Sequence, residues 1–279
     1  MVTMNKNGAP FDIDRSVNGL VSVVIPTYNH AHFIKQALQS VIDQTYTNWE
    51  AIVVDNHSED NTDSIINSFA DARIKILKIY NNGVIAISRN LGIKHARGKW
   101  VAFLDSDDWW YPEKLELSIQ VLKNGAQLVC HAENWIKNGT LFRTVKYGPK
   151  NKATYRQLLY GRNCISTSAV TVNRDSLIDV GGFMEAPQAI GVEDYHLWLK
   201  LAKVGIRTEF IDQPLGYYRI YAVSQSSNLI RQMKAEQWVL KNNFKALHNT
   251  NILDHLLKFR RFGRLYASTA VRWLIRSIS

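Results

Sequence analysis

Residues 21–25 read Val-Ser-Val-Val-Ile, a near-continuous apolar run stopped by Pro26. Such a run predicts a strand buried on both faces. Residues 30–43 follow as a helix, with Phe33, Ile34, Ala37, Leu38 and Val41 at helical spacing. The pattern then repeats. A strand over 49–54 ends at Asp55, and a short helix over 61–69 has Asp60 or Ser58 as its cap. A strand over 74–79 leads to a helix over 84–96 closed by Gly98, and a strand over 100–104 ends in acids. This alternation predicts βαβ units and a parallel sheet. Right-handed crossovers then bring the strand ends to one edge.

Beyond Pro112 the pattern predicts a helix to about residue 123 and a strand over 127–131. Residues 137–152 are polar and glycine-containing, suited to a loop or a short hairpin. A helix over 155–160, a strand over 169–172 and a turn at Gly181-Gly182 come next. An amphipathic helix over 192–204 and short strands over 207–211 and 215–219 complete this part. From residue 229 the pattern is helical, broken near Asn249-Thr250-Asn251.

The chain has 279 residues, 46% hydrophobic and 21% charged, which is ample for a globular core. Three segments are expected: a polar stretch over 1–19, an α/β domain over 20–226 and a basic helical extension over 227–279. Cys130 and Cys164 fit neither a disulfide framework nor zinc spacing, so a reducing compartment is expected. Residues 1–19 lack the apolar core of a signal peptide, and no apolar run is long enough to cross a membrane. The net charge of +10 suits anionic partners such as nucleotides, diphosphates, nucleic acid or an anionic membrane. There is no G-x-G-x-x-G after the first strand and no P-loop, which argues against dinucleotide and P-loop ATPase chemistry.

The strand-end edge gathers Pro26-Thr27-Tyr28-Asn29, Asp55-Asn56-His57-Ser58 and Asp105-Ser106-Asp107-Asp108. Ligands of open α/β sheets bind at this edge. Clustered acids there repel one another unless a cation compensates, and Mg²⁺ or Mn²⁺ carrying ligand phosphates would do so. A turn with its caps is the alternative for that segment. Asp55 is placed either to accept from a ribose or base edge or to cap its own turn. Arg89 is either a solvated helix residue or, if its helix borders the cleft, a diphosphate contact. Glu193-Asp194 at a helix start either complement the helix dipole or offer a general base. Trp109, Trp110 and Trp198 are either apolar ligand platforms or core, with core favoured for Trp198. His196 reads as structural.

These motifs in this order resemble family 2 of the nucleotide-sugar glycosyltransferases. The match runs from Val23-Val24-Ile25-Pro26-Thr27-Tyr28-Asn29 through Ile52-Val53-Val54-Asp55, Ser88-Arg89-Asn90 with Gly98, and Leu104-Asp105-Ser106-Asp107-Asp108 to Gly181-Gly182-Phe183, Glu193-Asp194 and Tyr218-Arg219. The resemblance implies a GT-A fold of class α/β, a mostly parallel central sheet flanked by helices with a helical C-terminal extension. Residues 20–110 would form the nucleotide-binding half and 111–226 the acceptor half. It implies inverting transfer from a nucleoside diphosphate sugar, usually UDP, to a saccharide or lipid-linked glycan of bacterial surface-polysaccharide type. Pro26, Thr27, Tyr28, Asp55, Arg89, Asp105 and Ser106 would hold the nucleotide-sugar, and Asp107 a Mn²⁺ or Mg²⁺ ion. Asp194 would be the catalytic base, with Glu193, Trp109 and Trp110 orienting base or acceptor.

Two departures stand out. The family's Val-Asp-Asp-Gly-Ser is Val54-Asp55-Asn56-His57-Ser58 here, and Tyr221 stands where the family often has histidine. They motivate the alternative of a non-catalytic nucleotide-sugar-binding or scaffold protein on the same fold. The basic, aromatic tail after residue 250 suggests an in-plane membrane helix, with packing on the catalytic domain or a second subunit as the alternative. The expected location is cytoplasmic, peripheral on the inner face of the membrane.

Overall fold

The computed structural model describes residues 19–221, 229–247 and 252–278, the stretch 272–278 by backbone alone. Most of the polar N-terminal segment, the boundary near 226 and the break at 249–251 lie outside the described residues.

Strands β1 (Val21–Thr27), β2 (Trp49–Asp55) and β4 (Trp100–Phe103) are buried along their whole length. Their alternate residues feed two separate cores, as the two-residue period of a strand requires. Val24, Ile52, Val54, Val101 and Phe103 enter one core, with residues of α3 (Ile85–His95), α5 (Tyr155–Tyr160), α7 (Glu193–Lys203) and α8 (Leu229–Lys245). Val23, Ile25, Ala51, Val53 and Ala102 enter the other, with α1 (Ala31–Ile42) and α4 (Lys114–Lys123). Helices therefore cover both faces, and the strands read as apolar runs for that reason.

Among the described residues the strands form one nine-stranded sheet in the order β3-β2-β1-β4-β8-β6-β9-β5, with β7 (Thr140–Val145) paired to β6 (Leu128–Lys137). The first four strands, with β3 at Ile74–Lys78, are parallel as expected. From β4 onward the sheet is mixed. β8 (Val170–Asn173) is antiparallel to both β4 and β6, and β9 (Thr208–Ile220) runs parallel to β6. Because β8 runs backwards, the turn that precedes it lies at the carboxyl edge of β4.

Several boundaries differ from the sequence reading. β1 continues through Pro26, which pairs with Val54. Thr27 faces β2, where its carbonyl accepts from Asn56 N–H at 3.0 Å, so the neighbouring Pro26 directs its backbone to the other side. There β4 has ended opposite Val24, so the missing N–H interrupts no ladder. Helix α3 ends at His95 with Ala96 as its C-cap, so Gly98 does not close it. Gly98 serves close approach instead: its N–H donates to Ser22 Oγ at 2.9 Å, and a Cβ there would collide with the Leu20 carbonyl. Residues 137–152 open with a hairpin turned by Asn138 and Gly139, both at positive φ, the preferred pair for a two-residue turn. The two short strands expected over 207–219 are one strand, β9, broken only by a bulge around Pro214. The pair Trp109–Trp110 forms a further short strand, β5, antiparallel to β9.

Candidate active site

The chain leaves β1 for β2 and β3 on one side, then returns to β4 on the other. The crevice between the ends of β1 and β4 is thus the switch point where such sheets bind ligands. Loops meet across it: His30 Nδ1 lies 2.7 Å from Ser106 Oγ. Tyr28 is half exposed at the rim, while Thr27 Oγ1 is buried without a hydrogen-bond partner among the described residues.

Asp55 is fully buried at the end of β2. Its carboxylate accepts from Ser58 N–H at 3.0 Å, from Ser58 Oγ, and from Lys78 Nζ at 2.8 Å. These are the contacts of a turn cap, and they organise the crevice wall: Ser58 Oγ in turn receives the Asn29 N–H at 2.8 Å. His57 takes φ +54° where the resemblance has glycine, and its ring stacks on Tyr80 at 3.7 Å. Histidine is among the residues that tolerate this region better than most. Asn56 Oδ1 accepts Asn81 N–H at 2.8 Å, tying this turn to the loop before α3.

Arg89 is 3% exposed, so the solvated reading fails. The helix α3 packs so tightly on β1 that a Cβ at Gly92 would collide with Val24, and this closeness drives Arg89 inward. Its guanidinium bridges two acids distant in sequence, Nη2 to Asp105 at 2.7 Å and Nη1 to Glu193 at 2.7 Å. Burial opposes its charge, but the Asp105 and Glu193 carboxylates outweigh burial and hold it protonated. Asn90, next in sequence, locks the opposing loop: it accepts Phe183 N–H at 2.8 Å and donates to the Phe183 carbonyl at 2.9 Å. Gly182, at φ +60°, touches Asn90 so closely that a side chain there would collide with it. The Gly181-Gly182-Phe183 turn thereby delivers Glu193 and Asp194 to the crevice.

Asp194 is partly buried at the start of α7. It accepts from Tyr195 N–H at 2.6 Å and lies 3.4 Å from Thr167 Oγ1. Burial, reinforced by the Glu193 charge, pushes its carboxyl up to about 7, with Arg89 pulling the other way. A carboxylate poised near neutrality is what general-base work requires.

The acids after β4 divide their tasks. Asp108 is buried and structural: it accepts Ser168 Oγ at 2.6 Å and Arg219 N–H at 2.9 Å, joining three strands. Asp107 is partly exposed and accepts from the Tyr221 hydroxyl at 2.7 Å. Burial and the neighbouring Asp105 raise its proton affinity. Tyr221 is therefore a donor onto Asp107, and burial and the Asp107 charge push its phenol well above its ordinary value. Two repelling carboxylates beside the switch-point crevice fit a hard divalent cation, which takes one or two carboxylates and fills its remaining sites with water and phosphate oxygens. No group of three or more His, Cys, Asp or Glu suited to a metal occurs among the described residues, so water and ligand phosphate oxygens would complete such a shell.

Trp109 and Trp110 part company. Trp109 is partly exposed, stacked on Tyr217 at 4.6 Å, and the Arg219 guanidinium lies 4.6 Å over its ring. Trp110 is 4% exposed and belongs to the core, correcting the platform reading for this residue. Its indole N–H donates to the Ser168 carbonyl at 2.8 Å, and the buried Lys114 Nζ lies 3.8 Å over its ring. Strand alternation turns one tryptophan out and the next one in. Trp198 is also core.

Sequence reasoning missed Ser166, Thr167 and Ser168. Ser168 Oγ accepts Asp105 N–H at 3.2 Å while donating to Asp108, and Ser166 donates to the buried Glu133 at 3.2 Å. Only the antiparallel direction of β8 brings this polar turn to the site.

Comparisons with known proteins agree with this geometry. The model of Glycosyl transferase family 2 matches residues 22–181. Among curated relatives, the Escherichia coli UDP-Glc:alpha-D-GlcNAc-diphosphoundecaprenol beta-1,3-glucosyltransferase WfgD is 37% identical, over 81% of this chain and 86% of its own length. The putative teichuronic acid biosynthesis glycosyltransferase TuaG of Bacillus subtilis is 30% identical, over 82% of this chain and 90% of its own. The fold is shared with S. aureus TarS 1–349 in complex with UDP-GlcNAc, at 20% identity and TM-score 0.68, covering 88% of this chain and 71% of that one. It is shared too with a mannosyltransferase of Pyrobaculum calidifontis in complex with GDP-Man and Mn²⁺, at 19% identity and TM-score 0.65, covering 90% and 75%. A GT-A sheet, a switch-point crevice lined with acids and a family match over most of the domain lead to one assignment: the chain belongs to glycosyl transferase family 2 and is a glycosyltransferase.

Proposed function

We propose that the protein transfers a sugar from a UDP donor, in the first instance glucose, to a hydroxyl of a lipid-linked saccharide, with inversion at the anomeric carbon. The observation that carries this is the Arg89 bridge, which holds Asp105 of the donor edge and Glu193 beside Asp194 in one array. The donor and acceptor in the name of WfgD support the substrate class. A β linkage made from an α-linked nucleotide-sugar is an inversion, consistent with a single in-line displacement.

In this reading Thr27 and Tyr28 meet the nucleoside, with Pro26 and Asp55 shaping the wall behind them. Asp105 and Ser106 face the ribose side, and Arg89 keeps Asp105 fixed. Asp194 accepts the proton of the attacking hydroxyl while Glu193, clamped by Arg89 and the Gly191 N–H at 2.7 Å, fixes the start of α7. Trp109, with Tyr217 and Arg219 against its ring, would meet the acceptor sugar with its exposed edge. Asp107, with Asp105, would hold Mn²⁺ or Mg²⁺, whose charge would stabilise the departing diphosphate as a Lewis acid. An acceptor anchored in lipid brings the enzyme to a membrane surface, peripherally in this reading. No helix among the described residues is long and apolar enough to cross a membrane.

The test is a panel of UDP-, GDP- and dTDP-sugars, with Mn²⁺ or EDTA, read for binding, slow hydrolysis and transfer to a lipid-linked saccharide. One UDP-sugar is expected to bind, to bind more weakly in EDTA, and to be consumed. Binding without sugar release to any lipid-linked saccharide would overturn the acceptor assigned here. The pH profile is a separate check. With a base near 7, kcat/KM is expected to climb with pH through about 7, because the protonated form below that cannot accept a proton. A rate flat between about pH 5 and 9 would remove the titrating base.

A further inference from the structure

Helix α9 (Ile252–Ile278) packs one face on the catalytic body, where Leu265 and Arg261 are buried. Its opposite face is apolar and open. Ile252, Leu256, Phe259 and Tyr266 fall on one stripe at alternating spacings of four, three and seven residues, and Ile252 and Phe259 are 81% and 82% exposed. Leu253 and Val271 widen it. A contiguous exposed stripe of this kind marks an interaction surface.

Beside the stripe, between α5 and α9, lies a cleft of ≈ 200 Å³ lined by Arg156, Tyr160, Gly161, Leu257, Arg260 and Arg264. Its charges do not balance. Asp254, the only acid of α9, pairs with Arg156 at 2.8 Å, and the buried Arg261 pairs with Glu236. Arg264 donates to the Tyr160 carbonyl, but its buried Nε has no partner among the described residues. Arg260, exposed, makes no ion pair among the described residues, and the charges of Arg260, Arg261 and Arg162 all bear on Arg264. An anion with several acceptor oxygens would satisfy this group.

We propose that α9 seats the protein on an anionic bilayer, its apolar stripe at the acyl boundary and the α5–α9 arginine cleft on a phospholipid phosphate. The flanks of the stripe decide against a second copy of the chain. Read as a heptad seam, its flanking positions hold Leu253, His255, Arg260, Phe262, Ala267 and Thr269, with no acid to meet Arg260 of a partner helix. Apolar anchors beside uncompensated arginines are the pattern of an in-plane interfacial helix. This deepens the peripheral reading above and does not depend on the catalytic one.

The test uses the full chain and vesicles free of any saccharide acceptor. Sedimentation with phosphatidylcholine vesicles containing phosphatidylglycerol is compared with pure phosphatidylcholine. Binding is expected only to the anionic vesicles. Leu256→Ser with Phe259→Ser, both exposed, should lose it at least tenfold, and Arg260→Gln should weaken it about fivefold, the loss expected for one basic residue at the surface. UDP binding should be unchanged in all three proteins, which separates this result from the catalytic reading. Equal binding to neutral vesicles, competition by free inorganic phosphate that leaves no vesicle-bound protein, or a dimer that the Leu256→Ser, Phe259→Ser protein loses would each overturn the proposal.

Discussion

Asp194→Asn is expected to lower transfer by about 10³-fold, within the range for removal of a general base, while UDP binding stays near that of the parent. The substitution preserves shape, and an amide oxygen still accepts the Tyr195 N–H. It cannot take a proton from an acceptor hydroxyl. The same variant should be more stable than the parent, and the sign follows from the titration. Burial and Glu193 raise the folded-state pKa to about 7 from an ordinary 3.8. Ionised Asp194 therefore destabilises the fold, and an uncharged side chain relieves it. The gain should be absent below about pH 4, grow as pH rises to about 7, and then level off. Calorimetric unfolding across that range, set beside turnover and UDP titration, checks both halves. Turnover at the parent's rate would dismiss Asp194 as the base.

The parallel half of the molecule was legible because its strands are buried on both faces and so write themselves as apolar runs. The acids that end those runs marked the crevice, since strand polarity and crossover hand place every carboxyl end together. Legibility stopped where direction is set by tertiary contact. Nothing in residues 170–173 says that β8 runs backwards, so the Ser166-Thr167-Ser168 turn was invisible as part of the site. Arg89 could not be weighed from its own helix, because its partners lie 16 and 104 residues away. The tryptophan pair was ambiguous for a related reason: only pairing with β9 decides which ring turns inward. The hairpin at residues 138–139, by contrast, had an Asn-Gly signal in the sequence that would have fixed it.

Arg89→Met should cost about 3–5 kcal/mol of stability, the usual penalty for removing one member of a buried ion pair. The loss comes less from the vanished hydrogen bonds than from what remains. Asp105 and Glu193 would face each other without their shared cation, and Asp194 would stand beside them. Arg89 is among the charges that restrain the proton affinity of Asp194. Without it that pKa rises further, and the rising limb of the pH–rate profile should move to higher pH. Lysine should not rescue fully, because a single ammonium cannot span two carboxylates as the guanidinium fork does. Adding Glu193→Gln to Arg89→Met should recover part of the lost stability by removing one uncompensated charge, without recovering turnover. Thermal unfolding of the single and double variants, with pH–rate profiles of each, separates these effects. If Arg89→Met left both the melting temperature and the limb where they are in the parent, the bridge would not be what joins the donor edge to the base.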